Sequence, residues 1–282
     1  MGRGIAGVCA VAGFETAVFE ADPRARERLR PALEGSWQRA VESGKLGEEK
    51  AVAAGARLSL VESLEEAAGA SIAIEAVPET LELKERIFRE LDRVLHDAKF
   101  LGSNTSSLSI GAIARATASP GRVVGVHFFN PVAAMPLVEI VHGPQTSAET
   151  VAAAEAFAAA LGKKTVRVRD VPGFATSRLG VALGLEAMRM VEEGVANAED
   201  IDRAMELGYG HRMGPLKTSD LVGLDVRLSI ADALSAALDP VRFAPPRILR
   251  ELVARGHTGR KCGRGFYRWE GDAARPVDPE AE

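Results

Sequence analysis

Sulfur is scarce in this chain: its 282 residues include two cysteines, Cys9 and Cys262, far apart and without a C-x-x-C spacing. That excludes a disulfide framework and a thiolate metal site, and it reads as a protein of the reducing cytoplasm. The five histidines (His96, His127, His142, His211 and His257) form no ligand cluster, so no metal is expected. Basic charge is not in excess either. Thirty-five Lys and Arg against 39 Asp and Glu leave −4, which gives no electrostatic footprint for nucleic acid. No apolar run approaches the ~20 residues needed to span a bilayer. The opening Met1-Gly2-Arg3-Gly4 has neither a secretory-signal pattern nor the Ser or Thr at position 6 that myristoylation requires. What remains is 46% hydrophobic and 26% charged, enough for a buried core. The length suits two domains at ~150 residues each.

The first two thirds alternate strand and helix. Thr16 to Glu20, Arg57 to Val61, Ser71 to Val77, Phe100 to Ser103, Val123 to Val126, Leu137 to Val141 and Thr165 to Val168 read as strands. Helices are expected over Pro23 to Ser43, with Asp22 as N-cap, briefly after Ser63, over Leu81 to His96, and over Ala148 to Leu161. This alternation predicts an α/β fold with a doubly wound, mostly parallel sheet. After Asp170 every long segment reads as helix: Phe174 to Glu193, Asn197 to a stop at Gly208, Ser219 or Asp220 to Ala237, and Pro246 to Arg255. A boundary near residue 170 therefore divides a nucleotide-type domain, 1–170, from an all-helical domain, 171–282.

The stretch richest in chemistry is His127-Phe128-Phe129-Asn130-Pro131, with Glu139 twelve residues after the histidine. The apolar run Val123-Val124-Gly125-Val126 delivers His127 to the carboxyl end of a strand, where open α/β sheets bind ligands. Glu139 lies inside a second apolar run, where an isolated carboxylate is costly to bury, so it needs a partner. An imidazole is a base near neutral pH, and a carboxylate behind it fixes its tautomer and orientation. On spacing alone, a catalytic dyad and a satisfied core histidine in a structural pair both stay open.

Asn104-Thr105-Ser106-Ser107-Leu108, His127 to Pro131, Asp170-Val171-Pro172-Gly173-Phe174, Met213-Gly214-Pro215 and Gly263-Arg264-Gly265-Phe266-Tyr267 follow one another along nearly the whole chain. Together they resemble the landmarks of the 3-hydroxyacyl-CoA dehydrogenase family, in that family's order. The resemblance implies a Rossmann-type domain followed by a helical substrate and dimerisation domain. It also implies NAD-linked oxidation of an L-3-hydroxyacyl-CoA to the 3-oxoacyl thioester, and the reverse. It makes His127 the general base and Glu139 the group that orients it. Ser106 becomes the hydroxyl that bonds the substrate oxygen, although Ser103, Ser107 and Ser109 are neighbours that residue type alone does not separate. After Gly173-Phe174-Ala175 the family carries an active-site asparagine where this chain has Ser177, a shorter side chain with one donor.

Gly2-Arg3-Gly4-Ile5-Ala6-Gly7 matches G-x-G-x-x-G, but that motif aims a pyrophosphate-binding turn only when a strand precedes it. By the resemblance, Gly2 is instead the third fingerprint glycine, and Gly4 and Gly7 are small residues for close helix packing. The first strand and its turn are then missing from the sequence, and an upstream start roughly a dozen or more residues earlier is expected. Glu20, eighteen residues past Gly2 at the end of a strand, suits the acid that binds the adenosine ribose hydroxyls, an NAD feature. Arg24 and Arg26 could mark a 2′-phosphate site, or solvated charge at a helix start. The resemblance adds Glu79, Lys84, Asn130 and Lys261 as cofactor contacts. Position alone makes Lys84 a solvated helix lysine and Glu79 a helix N-terminal acid.

Two other functions compete: a related sugar-acid dehydrogenase without CoA, and a non-catalytic protein that keeps the fold. The expected partners are an acyl-CoA thioester and a second copy of the chain. Phe174 to Val191 is apolar around much of its circumference, with Gly180 and Gly184 permitting close approach, or else it is covered within its own domain.

Overall fold

Strand and helix alternate from the first residues in the computed structural model, which describes residues 1–277. Contacts divide the chain into two units, Met1–Val171 and Pro172–Glu282. The first holds α1 (Gly2–Val11), β1 (Thr16–Phe19), α2 (Pro23–Glu42), α3 (Glu48–Arg57), β2 (Leu58–Val61) and β3 (Ile72–Glu75). It continues with α4 (Leu81–Val94), β4 (Phe100–Ser103), α5 (Ile110–Ala114), β5 (Val123–Phe128), β6 (Leu137–His142), α6 (Ala148–Ala160) and β7 (Lys164–Arg169). Asp22 caps α2 as its residue type requires, its carboxylate accepting from the Arg24 and Ala25 amides at 2.8 and 3.4 Å. α3 was not apparent in the sequence, because Glu48–Arg57 is alanine-rich and buries only Ala54. The turn after Ser63 is a single 3₁₀ turn, Glu65–Ala67.

The strands form two ladders. β1 and β2 pair in parallel, and β3-β4-β5-β6-β7 make a five-stranded sheet in which only β5–β6 is antiparallel. Among the described residues the two ladders are not paired with each other, so β1 and β3 each keep an edge. No strand precedes α1 among the described residues. The middle of the larger sheet is buried on both faces: all six residues of β5 are buried, as the apolar run Val123 to Val126 predicts for its first four. Its core joins Ile5 and Cys9 of α1, Val124, Val126 and Phe128 of β5, Val138 and Ile140 of β6, and Phe157 of α6. Burial pushes the Cys9 thiol up to about 12. That sulfur is packing, not chemistry.

The second unit contains α7 (Thr176–Glu192), α8 (Ala198–Tyr209), α9 (Pro215–Val222), α10 (Leu224–Ala237) and α11 (Arg247–Ala254). It is helical as expected, and adds a hairpin, β8 (Tyr267–Glu270) and β9 (Ala273–Pro276), whose four-residue strands are too short to stand out by pattern. Two helix ends differ from expectation. α8 runs through Gly208 and stops at Gly210, the glycine that takes the left-handed conformation (φ 72°). The expected helix from Ser219 to Ala237 is two helices, separated at Gly223, where φ is 105°. Gly184 faces the Ser219 hydroxyl and Gly180 the Arg227 guanidinium, so both glycines serve contacts within this unit.

Two buried carboxylates hold the second unit together. Asp220 accepts from the Phe266 and Tyr267 amides at 3.0 and 2.9 Å and from Trp269 Nε1 at 2.9 Å. Asp202 accepts from the Leu216 and Lys217 amides at 2.8 and 2.9 Å, and its Oδ2 lies 2.8 Å from the Tyr267 hydroxyl. A Cβ at Gly265 would overlap the Asp220 carboxylate, and one at Gly214 would overlap Asp202. The Met213-Gly214-Pro215 and Gly263-to-Tyr267 landmarks are thus the two sides of a structural latch. No helix among the described residues is long and apolar enough to cross a membrane.

Candidate active site

Strand pairing places the histidine and the glutamate. In the antiparallel β5–β6 ladder His127 stands directly opposite Glu139, so both side chains leave the same face of the sheet. His127 Nδ1 lies 2.7 Å from Glu139 Oε2. Glu139 is fully buried and His127 is 6% exposed. A carboxylate so deep is ionised only with donors around it, and the Nδ1–H of a neutral imidazole is one. That bond selects the tautomer in which Nε2 is the basic nitrogen. The Phe129 ring packs against the imidazole, its centroid 4.6 Å away.

The serine loop follows β4 and is fastened at both ends. Asn104 Oδ1 accepts from the Phe128 amide at 2.9 Å, joining the loop to the strand that carries His127. Glu79 Oε1 gathers the Thr105 hydroxyl at 2.5 Å, the Ser106 amide at 2.9 Å, and the Ser107 amide and hydroxyl at 3.1 Å each. Burial pushes the Glu79 carboxyl up, but Thr105, the neighbouring Lys84 charge and the two amides outweigh it and hold it below the usual carboxylate range. The structure separates the four candidate serines. Ser103 donates to buried Glu75 at 2.7 Å, Ser107 to Glu79, and Ser109 to Asp170 at 2.7 Å while capping α5. Ser106 Oγ alone of the four has no hydrogen-bond partner among the described residues.

Lys84 is not the solvated lysine that position suggests. It is 1% exposed, with Nζ 2.6 Å from Glu75 Oε1, 3.3 Å from the Val77 carbonyl and 3.4 Å from Glu79 Oε2. Buried Glu75 and Lys84 and the more exposed Glu79 therefore form one chain of charge beside the serine loop. Glu75 and Asp170 escaped the sequence reading, although Glu75 sits in an apolar run just as Glu139 does and the same argument applies to it. Asp170 binds the Ser109 hydroxyl and the Gly111 amide, at 2.7 and 2.8 Å.

Two features suit a dinucleotide. Gly2 opens α1, whose first turn has no acidic residue and whose N-cap, Met1, supplies no side-chain bond, which suits an anionic ligand. Glu20 follows β1, half-buried, its Oε1 accepting from the Asp22 amide at 3.1 Å. Cβ atoms at Gly4 and Gly7 would press on Val132 and Leu33 at 2.9 and 2.8 Å, which makes both glycines packing residues. Arg26 lies 3.7 Å from Glu62 in a surface pair. Asn130 is exposed in the turn after β5. Ser177 and Lys261 belong to the second unit: Ser177 is half-buried in the first turn of α7, and Lys261 pairs with Asp225 at 2.5–2.6 Å. No group of three or more His, Cys, Asp or Glu among the described residues could hold a metal ion.

Residues 1–171 match the family model described as 3-hydroxyacyl-CoA dehydrogenase, NAD binding domain, and residues 173–269 match 3-hydroxyacyl-CoA dehydrogenase, C-terminal domain. A probable 3-hydroxybutyryl-CoA dehydrogenase of Bacillus subtilis (strain 168) is 43% identical over 270 residues, 96% of this chain and 94% of that one. A 3-hydroxybutyryl-CoA dehydrogenase of Mycobacterium tuberculosis (strain ATCC 25618 / H37Rv) is 44% identical over 271 residues, 95% of each. The crystal structure of (S)-3-hydroxybutyryl-CoA dehydrogenase from Ralstonia eutropha superposes with a TM-score of 0.91 at 37% identity, over 96% of this chain and 95% of that one. Both halves of the chain, in order and nearly end to end, thus carry the same assignment. The chain belongs to the 3-hydroxyacyl-CoA dehydrogenase family.

Proposed function

We propose that His127 is the general base of an NAD-dependent oxidation of a short L-3-hydroxyacyl-CoA, held in place by Glu139. The 2.7 Å bond between Nδ1 and the buried Glu139 carboxylate carries this reading, because it makes Nε2 the basic nitrogen of the ring. In the oxidative direction the C3 hydroxyl proton passes to Nε2 as the C3–H bond breaks and the C3–O bond becomes a carbonyl. NAD, when bound, accepts the C3 hydride. Glu139 stabilises the imidazolium that results, and His127 returns the proton in reduction. A base so positioned contributes ~10²–10⁴ in rate. Ser106, with its hydroxyl uncommitted, donates to the substrate oxygen, and Glu79 and Lys84 keep its loop in place. In this reading the first unit binds NAD, with Gly2 at the phosphates, Glu20 at the adenosine ribose and Glu79, Lys84, Asn130 and Lys261 about the rest. Ser177, at the position of the family's asparagine, is a further active-site residue in this reading.

The relatives named for 3-hydroxybutyryl-CoA support a four-carbon substrate. The exposed Leu179, Leu183, Leu221, Val222 and Val226 supply apolar surface for a second copy, so the working unit is a homodimer. Two unpaired thiols suit the cytoplasm. The test is to incubate the full chain with 3-hydroxybutyryl-CoA and NAD⁺ and, separately, with free 3-hydroxybutyrate and NAD⁺. NADH should form with the thioester only. NADH from the free acid alone would favour a CoA-independent dehydrogenase, and failure to bind NADH would favour a non-catalytic protein.

A further inference from the structure

A carboxylate ends β3 where packing alone would place an apolar residue. Ile72-Ala73-Ile74 is apolar, and the run closes on Glu75, whose side chain is wholly buried. A buried ion pair is weak evidence for stability, because well-packed apolar residues of similar volume often do as well. Glu75 is instead spent on donors from three places. Its Oε1 accepts from the Val77 amide at 2.7 Å and from Lys84 Nζ at 2.6 Å, and its Oε2 accepts from the Ser103 hydroxyl at 2.7 Å. The Glu75 carbonyl accepts from the Asn104 amide at 2.8 Å. The β3–β4 register sets Glu75 opposite Ser103, at the carboxyl ends of two parallel strands, where open α/β sheets bind ligands.

Two routes lead from this carboxylate to Ser106. Along the chain, Ser103 ends β4, its Oγ also accepts from the Thr105 amide at 3.3 Å, and Ser106 is the next residue but one after Asn104. Through side chains, Lys84 Nζ lies 3.4 Å from Glu79 Oε2, and Glu79 Oε1 accepts from the Ser106 amide at 2.9 Å. The routes meet in a closed ring, Glu75–Ser103–Ser106–Glu79–Lys84, that lies wholly within the first unit. The ring holds the backbone of Ser106 and leaves its hydroxyl uncommitted. A reacting group misplaced by ~1 Å can cost ~10²-fold in rate, so the worth of such a ring is geometric.

We infer that Glu75 is a positioning residue of the reaction. Its carboxylate fixes where the Ser106 hydroxyl stands, through Ser103 on one side and through Lys84 and Glu79 on the other. This rests on the proposed reading of Ser106 as the donor to the substrate oxygen. Buried as it is, Glu75 acts on the rate through Ser106 and not beside it.

The test is a double-mutant cycle in the full chain, Glu75→Gln with Ser106→Ala, assayed with 3-hydroxybutyryl-CoA and NAD⁺. Glu75→Gln keeps the shape of the side chain and removes its charge, and should lower kcat by about 10-fold, as loss of an orienting partner does. Ser106→Ala removes a donor to the substrate oxygen and should lower kcat by about 10²-fold. The double variant should match Ser106→Ala alone, because a misplaced hydroxyl costs nothing once the hydroxyl is gone. Losses that multiply, to about 10³-fold, would show Glu75 acting elsewhere and would overturn the inference. So would Glu75→Gln at the wild-type rate. Ser106→Ala at the wild-type rate would defeat the reading of Ser106 as donor, and this inference with it. Ser103→Ala cuts one route and keeps the buried ion pair, so it carries the same cycle if Glu75→Gln does not fold. Its loss should be several-fold, and again absent beside Ser106→Ala. Amide hydrogen exchange reads the ring without turnover: in Glu75→Gln the Ser106 and Ser107 amides should exchange about 10-fold faster, while Val124 and Val126 keep the wild-type rate. Unchanged exchange in the loop would contradict the inference whether or not the thioester is oxidised.

Discussion

The two units bury charge for opposite ends. In the first, the pair at the β5–β6 ladder and the Glu75–Lys84–Glu79 chain hold groups that the proposed reaction uses: an imidazole with one nitrogen assigned, and a serine hydroxyl with no hydrogen-bond partner among the described residues. In the second, Asp202 and Asp220 spend their oxygens on amides, an indole and a phenol, and nothing is left over for a substrate. Both kinds of carboxylate obey the same rule, that buried polar groups are partnered. The difference lies in the partner. Glu139 meets an imidazole, which can act as a base near neutral pH, whereas Asp202 and Asp220 meet amides, a phenol and an indole that tie distant segments together.

Removing the imidazole tests that contrast most severely. His127→Gln should lower kcat by ~10²–10⁴, with the denaturation midpoint of the protein changed far less than its rate. Asp220→Ala should do the reverse. It strands two amides and an indole N–H, and should destabilise the protein by about 3–5 kcal/mol in denaturant titration, while activity per folded molecule changes little. If kcat of the folded fraction fell as far as in His127→Gln, the division between the two regions would be lost.

A pH series sharpens the same point. Burial pushes the Asp220 carboxyl up to about 6, against the lowering effect of Trp269, Tyr267 and Phe266. A carboxyl whose folded pKa is raised favours the native state most below its unfolded value, and that advantage is lost as pH rises from about 4 through 6. Asp220→Asn does not titrate. The stability difference, wild type minus Asp220→Asn, should therefore fall by about 2 kcal/mol between pH 4 and 7. A flat difference would mean that the three donors offset desolvation completely.

Smaller effects come last. Glu139→Gln keeps the shape of the pair and removes its charge, so kcat should fall about 10- to 100-fold, less than for loss of the base itself. Ser177→Asn should move KM several-fold and kcat little, as measured with 3-hydroxybutyryl-CoA. No change in either would remove Ser177 from the site.

How legible this was follows from the period of each signal. His127 and Glu139 stand in unbroken apolar runs, and a titratable group there is conspicuous. Their pairing needed only that the two runs lie side by side. The parallel sheet was likewise readable from alternation. The Ser106 assignment was not, since four serines share one loop and only their partners distinguish them. Position alone makes Lys84 a solvated helix lysine, and its burial follows from a partner that position does not record, Glu75 at 2.6 Å. Asp202 and Asp220 were invisible for another reason: their partners lie fourteen to sixty-five residues away, so no local pattern records them. Helix ends at Gly210 and Gly223 depended on which of several glycines adopts positive φ, a choice made by packing.

The most direct trial of the account is the rate of NADH formation from 3-hydroxybutyryl-CoA in a single turnover, wild type beside His127→Gln, with both proteins shown to be folded. A drop of at least ~10² with His127→Gln is the predicted result. Equal rates for the two proteins would contradict it, and would make the imidazole a core residue beside an ion pair.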